Sequence, residues 1–330
     1  MSHPFGSVFA DTMAISWYRD RAWSSMSLQR VEALSLHPGA HALHYGSACF
    51  EGLKAYRTVG GGVHLFRVDR HVERMRQSAE LLCMPAPEAG FIQRMIESVV
   101  DACRAIIPEF PGSLYMRPAL IGTQANIGSA TRPTEEACLY VIASPVGSYF
   151  EAGERPLRVL VGDRHTRSTP EFGRAKTGGN YAAALRFTME AKKRWQADQV
   201  LFCPGGDVQE TGAANFLLID DRRILTKNLD GSILQGVTRD SLLRLARDMG
   251  YEVEERSYGV AELLDRAARG EAALAGTAAV LTSVGTLIHN GREHRVGDGR
   301  VGENTRKLRA TLNAIQSGEG EDRYGWRHPV

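Results

Sequence analysis

The sequence is short of most features that would assign a protein to a specialised environment. Its 40 Lys and Arg residues nearly balance 38 Asp and Glu, leaving a net charge of +2. No long basic run stands out, so neither nucleic acid nor an anionic membrane surface is an expected partner. No apolar run approaches the ~20 residues that span a bilayer. The opening stretch MSHPFGSVFADTMAISWYRD has neither a basic nor an apolar block, so it does not read as a secretory signal. The five cysteines, Cys49, Cys83, Cys103, Cys138 and Cys203, are odd in number, widely spaced and form no C-x-x-C pair. That pattern suits a reducing cytoplasm with buried or inert thiols. His41 and His44 come closest to a metal-ligand pair, but no cysteine or acidic cluster completes a site, and no metal is expected. Lysine is also scarce: Lys54, Lys176, Lys192, Lys193, Lys227 and Lys307 are the whole set.

What remains is ordinary globular composition, 43% hydrophobic and 24% charged. At 330 residues the chain is long for one core, so two domains are expected. Strand-like runs open the chain, and AYRTVGGGVHLFRV reads as a β-hairpin around its glycines. A phosphate loop there would have to open a helix and carry a Lys-Ser/Thr pair, and neither follows. Asp69 reads as the N-cap of a helix through Leu82, with Val72, Met75, Ala79 and Leu82 on its buried face and Arg74 off that stripe. A second helix follows MPAPEAG, then two strands, SLYMRPALIG and ACLYVIASPV. The polar stretch 147–154 is the expected linker between a smaller domain, 1–146, and a larger one, 155–330. Beyond it the pattern predicts a strand from Leu157, a helix from Tyr181 to about Trp195, and helices at Thr238–Met249, Val260–Ala268 and Asn304–Ile315. LIHNGREHRVGDG carries an Asn-Gly hairpin turn. Hairpins mixed with helices predict an α+β protein.

Lys176 lies in FGRAKTGGNYAAAL. Lysine is the side chain that forms Schiff bases, because desolvation or a nearby cation can make its amine neutral. Arg174 could be that cation, Gly178 and Gly179 would let the backbone approach a flat ring, and Tyr181 adds a hydroxyl. A pyridoxal phosphate enzyme needs two more things: an acid for the pyridine nitrogen and a cradle for the phosphate. VQETGAANFLL offers Glu210, LQGVTRDSLLRLA puts Gly236, Val237 and Thr238 at a helix start, and LAGTAAVLTSVG offers Thr277. Each alone is equally well a loop charge, a surface acid or a helix cap. Together, in this order, they point to one cofactor.

In that order the chain resembles the branched-chain aminotransferase family, class IV pyridoxal-phosphate aminotransferases of fold type IV. HYGSACFEGLKAYR, LYMRPALIGT, SPVGSYF, AKTGGNYAAAL, ETGAANFLL, GVTRDSLL, GTAAV and VGENTRKL carry the resemblance along nearly the whole chain. It implies a two-domain fold with the cofactor between the domains, and a homodimer in which the partner chain finishes each site. Lys176 would hold pyridoxal 5'-phosphate and shuttle the proton. Glu210 would pair with the pyridine nitrogen and Tyr181 with the phenolic oxygen, while Arg74, Val237, Thr238 and Thr277 would bind the phosphate. Tyr115 and the amides at Thr277 and Ala278 would receive the substrate carboxylate. Tyr45, Phe50, Val146 and Tyr149 would wall the side-chain pocket, and Arg117 would meet the distal carboxylate of glutamate. A pocket of rings with one arginine at its edge serves an aliphatic and an acidic side chain in turn.

The resemblance implies transfer of the amino group of an L-amino acid, leucine, isoleucine or valine, to 2-oxoglutarate by a ping-pong route. Two positions depart from the family pattern. Gln235 stands where proline usually pre-sets the phosphate turn, and Ser129 stands where an apolar residue is common. A class IV transaminase for another amino acid therefore stays open, as does a cofactor-binding relative without turnover. Against the latter stands the intact set of Lys176, Glu210, Arg74 and Thr238.

Overall fold

The computed structural model describes residues 4–149 and 153–330. The expected linker at 147–154 includes residues 150–152, which lie outside the described ones. Contacts divide the chain into two units. One comprises Met1–Ser148, Ala175–Gly178 and Ile315–Val330; the other comprises Tyr149–Arg174 and Gly179–Ala314.

The first unit is built on strands β1 (Thr12–Arg19), β2 (Ala22–Trp23), β3 (Ser27–Arg30), β4 (Ala48–Phe50), β5 (Leu53–Arg57), β6 (Val63–Phe66), β7 (Ser113–Gly122) and β8 (Ala137–Val146). Its helices are α1 (His41–Tyr45), α2 (Val68–Leu81) and α3 (Ala89–Ala102). The triple-glycine segment joins β5 and β6 as an antiparallel hairpin. β7 and β8 pair from Ser113↔Val146 to Gly122↔Ala137. Alternate residues of these strands, among them Leu53, Ala55, Leu114, Met116, Leu120, Leu139 and Val141, form one core with Val72, Met75 and Ala79 of α2 and Ile92, Met95, Ile96 and Val99 of α3.

Helix α2 begins two residues earlier than its sequence predicts. Asp69 lies in the first turn, and the cap is Arg67, left-handed at φ 54°. The Arg67 amide donates to the Trp326 carbonyl at 2.8 Å, and its guanidinium lies 4.9 Å from that indole. A contact with a residue so distant in sequence leaves no local signal.

The second unit holds β9 (Leu157–Gly162), β10 (Gln199–Phe202), β11 (Asn215–Asp220), β12 (Arg223–Thr226), β13 (Glu252–Glu255), β14 (Glu271–Gly276), β15 (Val280–His289) and β16 (Arg292–Arg295). Its helices are α4 (Gly178–Trp195), α5 (Val237–Asp248), α6 (Val260–Ala267) and α7 (Glu303–Ser317), the first and last of which begin or end in the other unit. The sheet runs β10-β9-β15-β14-β11-β12-β13 with β16 beside β15, and mixes parallel and antiparallel pairs. Val159, Leu201, Phe216, Leu218, Leu274 and Leu287 fill its core with Leu263 of α6. A final strand, β17 (Arg327–Pro329), pairs with β6 of the first unit. Two sheets, each with its own helices, make the mixed α/β fold that the sequence predicts.

Candidate functional site

The short segment around Lys176 belongs to the first unit and is fixed there by backbone and side-chain bonds. The Phe50 amide donates to the Lys176 carbonyl at 3.0 Å, and Thr177 Oγ1 donates to the Ala48 carbonyl at 2.7 Å. The Lys176 amide donates to Ser78 Oγ at 3.0 Å, and Ser78 Oγ donates to the Arg74 carbonyl at 2.9 Å. Lys176 is therefore tied through one hydroxyl to the helical turn that bears Arg74. Its Nζ lies 5.1 Å from the centre of the Phe50 ring.

Arg74 is expected off the buried stripe of α2, yet it is 6% exposed. The reason is Glu51, which follows β4 and is 1% exposed. Arg74 Nε donates to Glu51 Oε1 at 2.6 Å and a terminal nitrogen donates to Oε2 at 2.8 Å, a two-pronged pair. His71 Nδ1 lies 2.7 Å from the same Oε2. Burial by itself would raise the Glu51 carboxyl, but Arg74 and His71 outweigh it and hold the group well below the usual carboxylate range. His71 is shifted down, first by burial and then by the charges of Arg74 and Lys176, against the pull of Glu51. An acid inside FEGLKAYR, between a ring and a glycine, is the signal that could have found this cluster.

On the sheet face opposite the aliphatic core, the odd residues of β7 line a cavity of about 410 Å³. Phe50, Tyr115 and Arg117 line it, joined by Phe5, Tyr140 and Ile142. The Arg117 guanidinium lies 4.6 Å from the Phe50 ring centre and donates to the Tyr115 hydroxyl at 3.0 Å. Its Nε is buried with no hydrogen-bond partner among the described residues. A Cβ at Gly52 would lie 1.9 Å from that Tyr115 hydroxyl, so only glycine lets the ring tip sit there. Of the other expected wall residues, Val146 is buried at the end of β8, Tyr149 is 53% exposed, and the Tyr45 hydroxyl donates to the Ile127 carbonyl. None of these three is among the cavity's lining residues. Ser129, in the loop between β7 and β8, is buried at 3% exposed. Cys49 also lines the cavity, but burial, with Glu51 nearby, pushes its thiol up to about 12, which leaves it inert.

In the second unit Glu210 is 3% exposed, just ahead of β11. Its Oε1 accepts the Leu234 amide at 2.8 Å and meets an Arg167 nitrogen at 2.7 Å, while Oε2 accepts Asn215 Nδ2 at 2.8 Å. A buried carboxylate needs such a counter-charge, and Arg167, 3% exposed, supplies it. The same arginine donates to the Gly173 carbonyl at 2.7 Å, three residues before Lys176. Leu234 leads into Gly236, the cap of α5, where Val237 and Thr238 begin the helix. The N-cap Gly236 offers no side chain to the first amides of α5, a kind of helix start that suits an anion. Thr277 and Ala278 lie in the turn from β14 to β15, which Val280 closes at a strained φ of 63°. β11 carries Asn215 opposite Ala275 of β14, two residues before Thr277. Tyr181 lies in the first turn of α4. Within the second unit, a buried acid and a helix start with a threonine hydroxyl are groups that suit a phosphorylated pyridine.

Sequence reasoning passed over Arg167 and Asn215. Arg167 lies in an irregular loop among several arginines and carries no periodic mark. Asn215 opens an apolar strand, where a polar residue was a usable cue.

The sheets and their connections are those of fold type IV. The solved branched-chain amino acid aminotransferase of Escherichia coli matches with a TM-score of 0.78 at 26% identity, over 96% of this chain and 98% of its own. A solved T.th. branched-chain amino acid aminotransferase complexed with N-(5'-phosphopyridoxyl)-L-glutamate matches with a TM-score of 0.75 at 28% identity, over 95% of this chain and 98% of its own. The family described as amino-transferase class IV matches residues 48–286. A Streptomyces coelicolor protein named as a probable branched-chain-amino-acid aminotransferase is 39% identical over 343 residues, 99% of this chain and 92% of its own. The chain belongs to the class IV amino-transferases.

Proposed function

We propose that this protein is a branched-chain-amino-acid transaminase that uses pyridoxal 5'-phosphate to pass the amino group of leucine, isoleucine or valine to 2-oxoglutarate. The observation that carries the reading is the presence, in a class IV amino-transferase, of both a lysine held against the Phe50 ring and a deeply buried, fully hydrogen-bonded Glu210.

Bound pyridoxal phosphate supplies an electron sink for the pair left behind when the α-proton departs. Lys176 holds the cofactor, and its Nζ takes and returns the α-proton of the amino acid. Glu210 holds the proton on the pyridine nitrogen. Tyr181 bonds the phenolic oxygen. Arg74, Val237, Thr238 and Thr277 bind the phosphate, with Glu51 fixing the plane of the Arg74 guanidinium. Tyr115 and the amides of Thr277 and Ala278 receive the α-carboxylate. Tyr45, Phe50, Val146 and Tyr149 pack on the substrate side chain, and Arg117 meets the distal carboxylate in the second half-reaction. Its partnerless buried Nε supports that last assignment, since a buried donor without an acceptor is costly unless a ligand supplies one.

We further read the enzyme as a cytoplasmic homodimer. Four of its five cysteines are buried and all are free thiols, which supports a reducing compartment. No helix among the described residues is long and apolar enough to cross a membrane.

The purified protein should absorb visible light once loaded with the cofactor, and lose that band on addition of L-leucine. A colourless protein that cannot be loaded overturns the reading. A panel with aromatic, acidic and D-amino acids decides between branched-chain and other substrates. Lys176→Ala should lower turnover by at least ~10³-fold, and retained activity removes the lysine from the mechanism.

A further inference from the structure

Asn215 has no part in the assignments above, yet its amide joins two of them. Nδ2 donates to Glu210 Oε2 at 2.8 Å and to the Leu234 carbonyl at 2.9 Å. The Leu234 amide returns a bond to Glu210 Oε1 at 2.8 Å, and the Gly236 amide donates to the Leu234 carbonyl at 2.8 Å. Oδ1 of Asn215 fills the space beside Gly236 so closely that a Cβ built on the glycine would lie 1.9 Å from it. Asn215 itself is 3% exposed and starts β11, where its pairing opposite Ala275 of β14 fixes its backbone. One buried amide therefore bonds the carboxylate, bonds the turn that leads to α5, and packs on the residue that caps α5.

We propose that Asn215 is a positioning residue that sets the distance between the acid for the pyridine nitrogen and the helix start for the phosphate. The proposal rests on the reading that Glu210 meets the ring and the start of α5 meets the phosphate. A rigid cofactor held at both ends binds more tightly than its halves would suggest, because the second contact forms without a second loss of freedom. That advantage exists only while the spacing matches. Asn215 acts on the ligand only through Glu210 and the turn before α5, so its removal should weaken the whole by more than it weakens the halves together.

The test uses the full chain freed of cofactor, with the visible absorbance and calorimetry of binding as readouts. Dissociation constants are measured for pyridoxal 5'-phosphate, for pyridoxal and for inorganic phosphate. In Asn215→Ala the constant for the whole cofactor should rise about 10-fold, while each fragment changes by less than about 3-fold. The proposal stands if the loss for the whole exceeds the product of the two fragment losses. It is overturned if the loss does not exceed that product, which is what independent ends or general loosening of the fold would give. Gly236→Ala is the second variant, because its methyl would occupy the place of Asn215 Oδ1. It should repeat the pattern, and it decides the matter alone if Asn215→Ala fails to fold. Wild-type protein that takes up no pyridoxal 5'-phosphate overturns the functional reading, and this proposal with it. Wild-type uptake with unchanged variants overturns the proposal only.

Discussion

The two faces of the first sheet are made from the same strands and have opposite characters. Along β7 the even residues Leu114, Met116 and Leu120 join the aliphatic core under α2 and α3. The odd residues Tyr115, Arg117, Ala119 and Ile121 line the cavity, with Phe50 and Tyr140. Neighbouring β5 repeats the division: Leu53 and Ala55 go to the core, whereas Lys54, paired in register with Tyr115, goes to the other side. The first face is dry, uniform and satisfied by packing alone. The second buries a guanidinium with an unpartnered Nε and a lysine shifted by burial, groups that cost stability unless a ligand or a function compensates. The lesson is a division at a spacing of one residue, in which one face is packed by aliphatic side chains and the other carries rings and charged groups around a cavity.

The largest effect that tests this division on the dry face comes from Leu120→Ala. Leu120 is fully buried, so its truncation should cost about 2–5 kcal/mol of unfolding free energy in a denaturant titration. Turnover per folded molecule at low temperature should stay near that of the parent. A variant that keeps its stability and loses its turnover would erase the distinction between the faces.

Much of this arrangement was legible in the sequence. SLYMRPALIG and ACLYVIASPV appear as β7 and β8 with the same bounds, because alternation and flanking turn residues define strands locally. The hairpin around the triple glycine and helices α5, α6 and α7 came from the same kind of signal. Glu210 and Lys176 stand out in the sequence as candidates because small-residue turns lie beside them. What stayed hidden depends on contacts between distant residues. Arg74 read as a flank residue because Glu51, twenty-three positions earlier, is what draws it inside. Arg167 could not be told from any solvated arginine until its bond to Glu210 was seen. The start of α2 was misplaced because Trp326 fixes Arg67 from the far end of the chain.

On the polar face, Arg117→Met should separate the two half-reactions. Methionine keeps the apolar stem beside Phe50 but removes the charge that would meet a distal carboxylate. kcat/KM for 2-oxoglutarate should fall about 10- to 100-fold, equivalent to about 1.4–2.8 kcal/mol, with a much smaller change for leucine. Thermal stability should move by less than about 1 kcal/mol, since the stacking of Arg117 on a ring contributes about that much. Equal losses for both substrates would place Arg117 in the scaffold and not in substrate selection.

The smallest effect concerns Lys54, and its sign follows from proton linkage. Burial lowers the Lys54 pKa from 10.5 to about 8 in the folded chain. Between pH 8 and 10.5 the unfolded chain therefore binds more protons at this residue than the folded one, so stability should rise with pH across that window. Below pH 8 both states are charged and the full cost of burying the ammonium remains. Lys54→Met removes the cost and keeps the apolar stem. Relative to the parent, the variant should gain about 1 kcal/mol near pH 7, because relaxation and the lysine's own contacts offset part of the burial penalty. That gain should shrink as pH rises through the window. Paired denaturant titrations at about pH 7 and about pH 10 measure it, since every other titrating group is common to both proteins. A difference that does not change with pH would mean that Lys54 keeps its charge where it sits. The polar face would then be as well satisfied as the dry one, and its cost to stability would lie in Arg117 alone.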